Sequence, residues 1–141
     1  MQGFAFDTRI VPGDAAGVEE AARLLKAGQL VGFPTETVYG LAANARNAEA
    51  SAAIYDAKGR PRDNPMIVHI ARLEELYGVA AQVTPQALQL AQAFWPGPLT
   101  IILPRGESIP AVVSAGLDTV SVRMPSHPVA RAILKASGLP L

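Results

Sequence analysis

The chain has 141 residues and no net charge, and half of its residues are hydrophobic while only 17% are charged. This composition predicts a single well-packed domain, and it excludes an intrinsically disordered chain and a uniformly basic surface for nucleic acid. The lack of cysteine excludes disulfides and thiolate chemistry, and neither a run of ~20 apolar residues nor a signal-peptide pattern occurs, so we expect a cytoplasmic protein without a membrane span.

The first half of the chain alternates between helical and strand patterns. Asp14 is placed to cap an amphipathic helix that ends before Gly28, and Asn47 is placed to cap a second helix through Tyr55. Short apolar runs predict two strands, at residues 30–33 and 66–71. The polar segment TETVYG separates the first strand from the second helix and reads as a loop.

The second half continues the alternation. A Thr-Pro pair at 84–85 predicts a helix that ends at the FWPGP turn, and Ser126 is placed to begin a last helix that ends before Gly138. Two further strands are predicted, at residues 99–103 and 119–124. Because the strands are apolar on both faces, we expect an α/β fold, an open twisted mixed sheet flanked by helices on both sides.

The segment PTETVYG at residues 34–40 carries three hydroxyl side chains at alternating positions. If its backbone is extended, Thr35, Thr37 and Tyr39 point the same way and line one wall of a pocket. The alternative is a hydroxyl-rich loop that satisfies its own backbone. Glu36 between them is interpreted as a solvated or structurally paired carboxylate rather than a base.

Residues 58–65 read KGRPRDNP, a turn with three cations whose prolines restrict the backbone. One interpretation is a solvated basic turn. The other is anion binding, in which the Arg60 fork matches phosphate oxygens and Lys58 supplies a compact charge. Asn64 fits either a turn former or a hydrogen-bonding partner of a ligand.

Two polar residues lie in otherwise apolar strands. His69 is read either as a satisfied core residue or as part of a site, because it follows the basic turn closely. Arg123 ends the segment TVSVRMP and needs either an internal carboxylate partner or an anionic ligand. Thr119 lies on the same face of that strand and could join Arg123. No second histidine lies at metal-ligand spacing, so we expect no protein-only metal site.

Four segments together resemble the threonylcarbamoyl-AMP synthase family, also called YrdC-like. They occur in order over most of the chain, from about residue 28 to about residue 136: PTETVYGLA, KGRPRDNPMIVHI, FWPGPLTIIL and SVRMPSHPVA. The resemblance implies an open α/β fold with a basic concave cavity. It also implies an enzyme that joins L-threonine and bicarbonate or CO2 to ATP, releasing pyrophosphate, for the threonylcarbamoyladenosine modification of tRNA.

The resemblance also implies roles for individual residues. On the nucleotide side of the cavity it places Lys58, Arg60, Asn64 and Thr119, with Lys58 and Arg60 also catalytic. On the threonine side it places Thr35, Thr37, Tyr39, His69 and Arg123. In this chemistry the neutral amine attacks CO2, and the carbamate oxygen then attacks the α-phosphate. Cations, together with Mg2+ on the phosphates, would offset the repulsion between two anionic reactants.

One departure from the family concerns the end of the sequence. Family members continue with a strand and a Ser-x-Asn motif that helps to hold the nucleotide, and residues 1–141 do not include it. We therefore expect one YrdC-like domain over 1–141 without that segment, from a truncated form or an unusually short homologue.

Two other functions remain open from the sequence. One is a module that binds tRNA or double-stranded RNA without catalysis, which the neutral net charge disfavours. The other is a domain of a larger carbamoyltransferase that handles carbamoyl-adenylate. For the synthase, we expect tRNA-modifying proteins as recipients of the product, and weak binding of tRNA or double-stranded RNA in addition.

Overall fold

The computed structural model describes residues 7–141, which form five α-helices, five strands and one 3-10 turn. The helices are α1 Ala15–Lys26, α2 Ala48–Lys58, α3 Leu76–Val79, α4 Pro85–Phe94 and α5 Pro128–Ser137. The strands are β1 Val31–Pro34, β2 Tyr39–Ala42, β3 Ile67–His69, β4 Ile101–Pro104 and β5 Thr119–Arg123, and the 3-10 turn is Leu73–Glu75.

Side-chain caps fix the predicted helix starts. Asp14 accepts a hydrogen bond from the Gly17 N–H at 2.9 Å, and Asn47 accepts one from Ala50 at 3.0 Å. Thr84 caps α4 in the same way. Each cap satisfies a backbone donor that the first helical turn leaves without a partner. These three starts are confirmed.

Two helix boundaries differ from the prediction. α2 continues to Lys58, three residues beyond Tyr55, and stops where Gly59 adopts a left-handed φ of 62°. Lys58 is therefore held on a helix rather than in the loop. The last helix begins one residue later than predicted, because the ring Nδ1 of His127, not Ser126, accepts the hydrogen bond from Val129. Gly138 follows its end, as expected.

The strands form two sheets. β1 and β2 make an antiparallel hairpin, while the second sheet has the order β3-β5-β4. In that sheet β3 is parallel to β5 and β4 is antiparallel to it, so the sheet is mixed. The residues between the two sheets include Pro140 and Leu141: the Pro140 carbonyl accepts from Ala45, and Leu141 exchanges two backbone hydrogen bonds with His69.

Two features were not predicted. The segment after β1 turns back as a hairpin and β2 follows it, whereas the sequence suggested only a loop. The strand β4 is apolar but buries only one face, since Ile102 is 64% exposed on the other. The expectation of strands covered on both faces is therefore wrong for β4, because Ile102 lies on the face of the three-stranded sheet opposite the main core.

The main core lies on one side of the mixed sheet. Val68, Val120, Val122 and Ile101 pack there against α4 and the α3 region. A second cluster joins α1, β1 and α5 around Leu25. The opposite face of the mixed sheet is thereby left to the candidate site. No helix within residues 7–141 is both long and apolar enough to cross a bilayer.

Candidate functional site

A cavity of about 260 Å3 lies between the hairpin, α2, the basic loop and the uncovered face of the mixed sheet. Its lining includes six of the side chains singled out in the sequence: Thr35, Thr37, Lys58, Arg60, His69 and Arg123. The rest of the lining is mostly apolar and contains neither aspartate nor glutamate. Three cations therefore face one concave space whose lining has no aspartate or glutamate side chain.

The hairpin bend contributes Thr35 and Thr37. The Thr35 hydroxyl oxygen accepts hydrogen bonds from the backbone N–H groups of Thr37 and Val38, at 3.3 and 3.2 Å. The hydroxyl therefore stabilises its own bend and also lies on the cavity wall, so the two interpretations of this segment are compatible. Because residues 35–38 bend, Tyr39 does not follow the two threonines: it is 80% exposed and lies outside the lining.

The basic loop holds Arg60 through main-chain carbonyls. Its Nε–H donates to the Asn64 carbonyl at 3.1 Å, and its Nη2 donates to the Pro65 carbonyl at 2.6 Å. Carbonyls fix the guanidinium without cancelling its charge, so Arg60 remains a full cation at the cavity. The Asn64 side chain lies outside the lining, and the part of Asn64 that touches Arg60 is its backbone.

The third cation of the loop points elsewhere. Arg62 forms an ion pair with Asp56 at 2.9 Å, and its guanidinium lies 5.4 Å from the centre of the Tyr55 ring. It is absent from the cavity lining. The interpretation as a solvated basic turn therefore holds for Arg62 and does not hold for Arg60.

Tyr55, whose sequence position predicts only the end of α2, supports the basic loop. Its side chain is 1% exposed, and its hydroxyl lies 2.9 Å from the Val112 carbonyl and 3.3 Å from the Asn64 carbonyl. Burial raises the pKa of the phenol, which keeps it a donor. Tyr55 thus ties α2 to the carbonyl that also holds Arg60. The signal in the sequence for this supporting role was an aromatic residue three positions before Lys58.

His69 lies at the end of β3 as a neutral imidazole. Burial lowers its pKa below the ordinary 6.5, and the nearby charge of Arg123 lowers it further. Nδ1 is 3.1 Å from the Ile67 carbonyl, which can only accept, so that bond places the proton on Nδ1 and leaves Nε2 as an acceptor. The ring also meets Phe33 edge to face at 6.1 Å.

Arg123 lies directly beside His69, because the two residues are register partners in the parallel pair β3 and β5. Its Nε and Nη2 both donate to the Thr100 hydroxyl oxygen, at 3.0 and 2.7 Å. Among residues 7–141 no carboxylate lies within ion-pair distance of this guanidinium. The internal salt bridge considered from the sequence is therefore not formed within that range.

Thr119 lies at the opposite end of β5 from Arg123. It pairs with Pro104, is exposed and is absent from the lining. The idea that Thr119 joins Arg123 is not supported by this geometry, since four extended residues separate them by about 13 Å.

The described residues offer no built metal site. Within residues 7–141 no three acidic or histidine side chains lie together, and the lining has no aspartate or glutamate side chain of the kind that binds Mg2+ in proteins. Protein ligands for Mg2+ are thus not found in this cavity.

Comparison with known proteins gives the same family as the sequence motifs. The sequence pattern of the Sua5/YciO/YrdC family, described as "Telomere recombination", matches residues 23–141. A threonylcarbamoyl-AMP synthase of Pyrococcus abyssi is 51% identical over 121 residues, which are 86% of this chain and 36% of the relative. The chain thus spans about a third of that relative's length.

Solved structures of similar fold indicate the same family. The P. abyssi Sua5 structure complexed with L-threonine has a TM-score of 0.87 and 47% identity, covering 94% of this chain and 38% of the other. HypF in a phosphate- and nucleotide-bound form has a TM-score of 0.74 at 25% identity, covering 87% of this chain and 19% of the other. The chain belongs to the Sua5/YciO/YrdC family.

Proposed function

We propose that the protein forms threonylcarbamoyl-adenylate and pyrophosphate from L-threonine, bicarbonate or CO2, and ATP. The observation that carries this proposal is the shared cavity, which Lys58, Arg60 and Arg123 all line and whose lining has no aspartate or glutamate side chain. The names of the similar proteins, a threonylcarbamoyl-AMP synthase and a Sua5 bound to L-threonine, support the choice of reaction and amino acid.

The two ends of the cavity suit the two anionic reactants. Lys58 and Arg60 would receive the phosphates, with a compact charge on a helix end beside a planar fork on a loop. Arg123 would receive the carboxylate of threonine, while Thr35, Thr37 and His69 offer polar atoms around it. No protein nucleophile is needed: the cations offset charge repulsion and align the carbamate with the α-phosphate.

The size of the cavity limits what it holds. About 260 Å3 lies just below the range of roughly 300–1,000 Å3 typical of pockets that enclose a whole drug-sized ligand. It suits an amino acid and the reacting phosphate, and the nucleoside of ATP would extend beyond this lining. Three residues outside the lining are proposed to contact only the parts of the ligands that extend beyond the cavity: Tyr39, Asn64 and Thr119.

Four further expectations concern the surroundings of the reaction. Mg2+ would arrive on the ATP phosphates rather than on protein ligands, and no step here depends on it. The product would pass to tRNA-modifying proteins for threonylcarbamoyladenosine synthesis, in the cytoplasm, with at most weak direct binding of tRNA or double-stranded RNA.

Pyrophosphate release from ATP tests the proposal. We expect release that requires both L-threonine and bicarbonate. Release that ignores threonine would instead favour the carbamoyl-adenylate role, for which the likeness to HypF is the specific support. No release, combined with RNA binding that weakens steeply with salt, would favour the RNA-binding module.

A further inference from the structure

We propose that Thr100 is a positioning residue, which reserves the outer edge of the Arg123 guanidinium for the carboxylate of the amino-acid substrate. This inference rests on the proposed function for the identity of the ligand. The arrangement itself rests on two hydrogen bonds, from Nε and Nη2 of Arg123 to a single threonine oxygen.

The shape of the guanidinium group explains how the single Thr100 hydroxyl oxygen can determine which edge of Arg123 binds a ligand. Arginine has two edges that can each hold a carboxylate with two parallel N–H groups, one formed by Nε and Nη2 and one formed by Nη1 and Nη2. Thr100 occupies the first edge, with contacts of 3.0 and 2.7 Å. Arg123 lines the cavity and Thr100 does not, so the second edge is the one left for a ligand.

The sheet register explains why Thr100 is in position. Ile101 pairs with Val122 in the antiparallel pair β4 and β5, so continuing the register by one residue puts Thr100 opposite Arg123. On the other side of β5, Arg123 pairs with His69. His69, Arg123 and Thr100 therefore form one row across the sheet, with Thr100 immediately before β4.

The FWPGP turn gives Thr100 a fixed backbone. The indole Nε1 of Trp95 donates to the Leu99 carbonyl at 2.8 Å, immediately before Thr100. In the same turn, the Gly97 N–H donates to the Met124 carbonyl at 2.9 Å, immediately after Arg123. The turn thus hydrogen-bonds both to the residue before Thr100 and to the residue after Arg123. The FWPGP turn has no role in the proposed function, and in this inference it positions Thr100 beside Arg123.

The test compares binding of L-threonine with binding of L-threoninol, which lacks the carboxylate, by calorimetry. Wild type is expected to prefer threonine. Thr100→Val keeps the shape of the side chain and removes the acceptor, so it should reduce the threonine-to-threoninol ratio about 10-fold, as expected for loss of hydrogen bonds to a charged group. Thr100→Ser restores the hydroxyl and should return the ratio to within about 2-fold of wild type.

A control separates positioning from a general loss of stability. Ser108 donates to the Gly78 carbonyl at 2.6 Å and lies outside the cavity, so Ser108→Ala removes a hydrogen bond without touching Arg123. Its threonine-to-threoninol ratio should equal that of wild type. If Thr100→Val does not fold, Thr100→Ala takes its place in the same comparison, with Thr100→Ser as the rescue.

The possible results distinguish a wrong role for Arg123 from a wrong role for Thr100. A wild-type protein that binds threonine and threoninol equally contradicts the carboxylate role of Arg123, and with it the proposed function at this end of the cavity. A wild type that discriminates, together with valine and alanine variants that discriminate equally well, contradicts the role of Thr100 alone.

Discussion

The two arginines of the cavity are held in opposite ways. Arg60 is fixed by carbonyls four and five residues along its own loop, at Asn64 and Pro65. Arg123 is fixed by Thr100, which is 23 residues away and immediately precedes the neighbouring strand β4. In both cases the holding atom is a neutral oxygen, which orients the guanidinium and leaves its charge for a ligand.

The two geometries are encoded in different parts of the sequence. The fork of Arg60 depends on the local shape of a proline-rich loop, whereas the fork of Arg123 depends on strand register and therefore on the whole sheet. We expect disturbance of the loop to affect the phosphate end, and disturbance of the sheet to affect the amino-acid end.

The largest effect is expected for Arg60→Ala. Removal of one preorganised charge-stabilising donor should lower turnover about 10²-fold, measured as pyrophosphate release, with little change in the affinity for threonine. Arg62→Ala is the matched control, because Arg62 is paired with Asp56 outside the cavity. It should stay within about 2-fold of wild type. An Arg60→Ala protein with unimpaired turnover would rule out the role of this residue.

The second-largest effect is expected for Arg123→Lys, which keeps the positive charge and removes the planar guanidinium. A lysine cannot bond Thr100 with one edge and a carboxylate with the other, so the KM for threonine should rise about 20-fold. The kcat should change much less, because the phosphate end is intact. A variant with unchanged KM for threonine and reduced kcat would assign Arg123 to the phosphates instead and remove the contrast between the two arginines.

Much of the fold was predictable because its signals are local. Asp14, Asn47 and Thr84 mark helix starts through caps that lie within three residues of their partners. The strand β2 was not predictable in this way, because the polar residues before it read as a loop and its strand character depends on pairing with β1. The exposed face of β4 was missed for a similar reason, since burial depends on which face of the sheet the core covers rather than on apolar composition.

The same division applies to the site. The basic loop was found from its spacing of cations and prolines, although the sequence could not tell Arg60 from Arg62, whose directions depend on Asp56 and Tyr55. Thr100 was missed because only the register of β4 against β5 places it beside Arg123. Tyr39 was placed on the cavity wall by assuming an extended backbone where the chain bends.

A smaller effect is expected for Tyr55→Phe, which tests whether the loop of Arg60 depends on α2. The loss of the hydroxyl leaves the Val112 carbonyl without this donor, so the free energy of unfolding should fall by about 1–2 kcal/mol. The kcat should fall about 5-fold through Arg60, while the KM for threonine stays unchanged. Tyr77→Phe, at a residue that is 59% exposed, should change neither quantity. Equal losses at both ends of the cavity would argue against local control of Arg60.

The smallest effect is a pH dependence at the sheet end. Burial lowers the pKa of His69 below 6.5, and Arg123 opposes its protonation, while Glu36 and the Ile67 carbonyl favour it in part. The unfolded chain therefore takes up this proton first, and the free energy of unfolding should decrease as the pH falls below 6.5 and then level off below the folded pKa.

His69→Gln should remove that decrease in stability, since glutamine does not titrate. His127→Asn is the matched control at the only other histidine of the chain, because asparagine also accepts at a helix start. It should retain the decrease. The measurement is chemical denaturation between pH 5 and pH 8. If the pH dependence disappears with His127→Asn and persists with His69→Gln, then the row of His69, Arg123 and Thr100 is not the pH-sensitive part of the sheet.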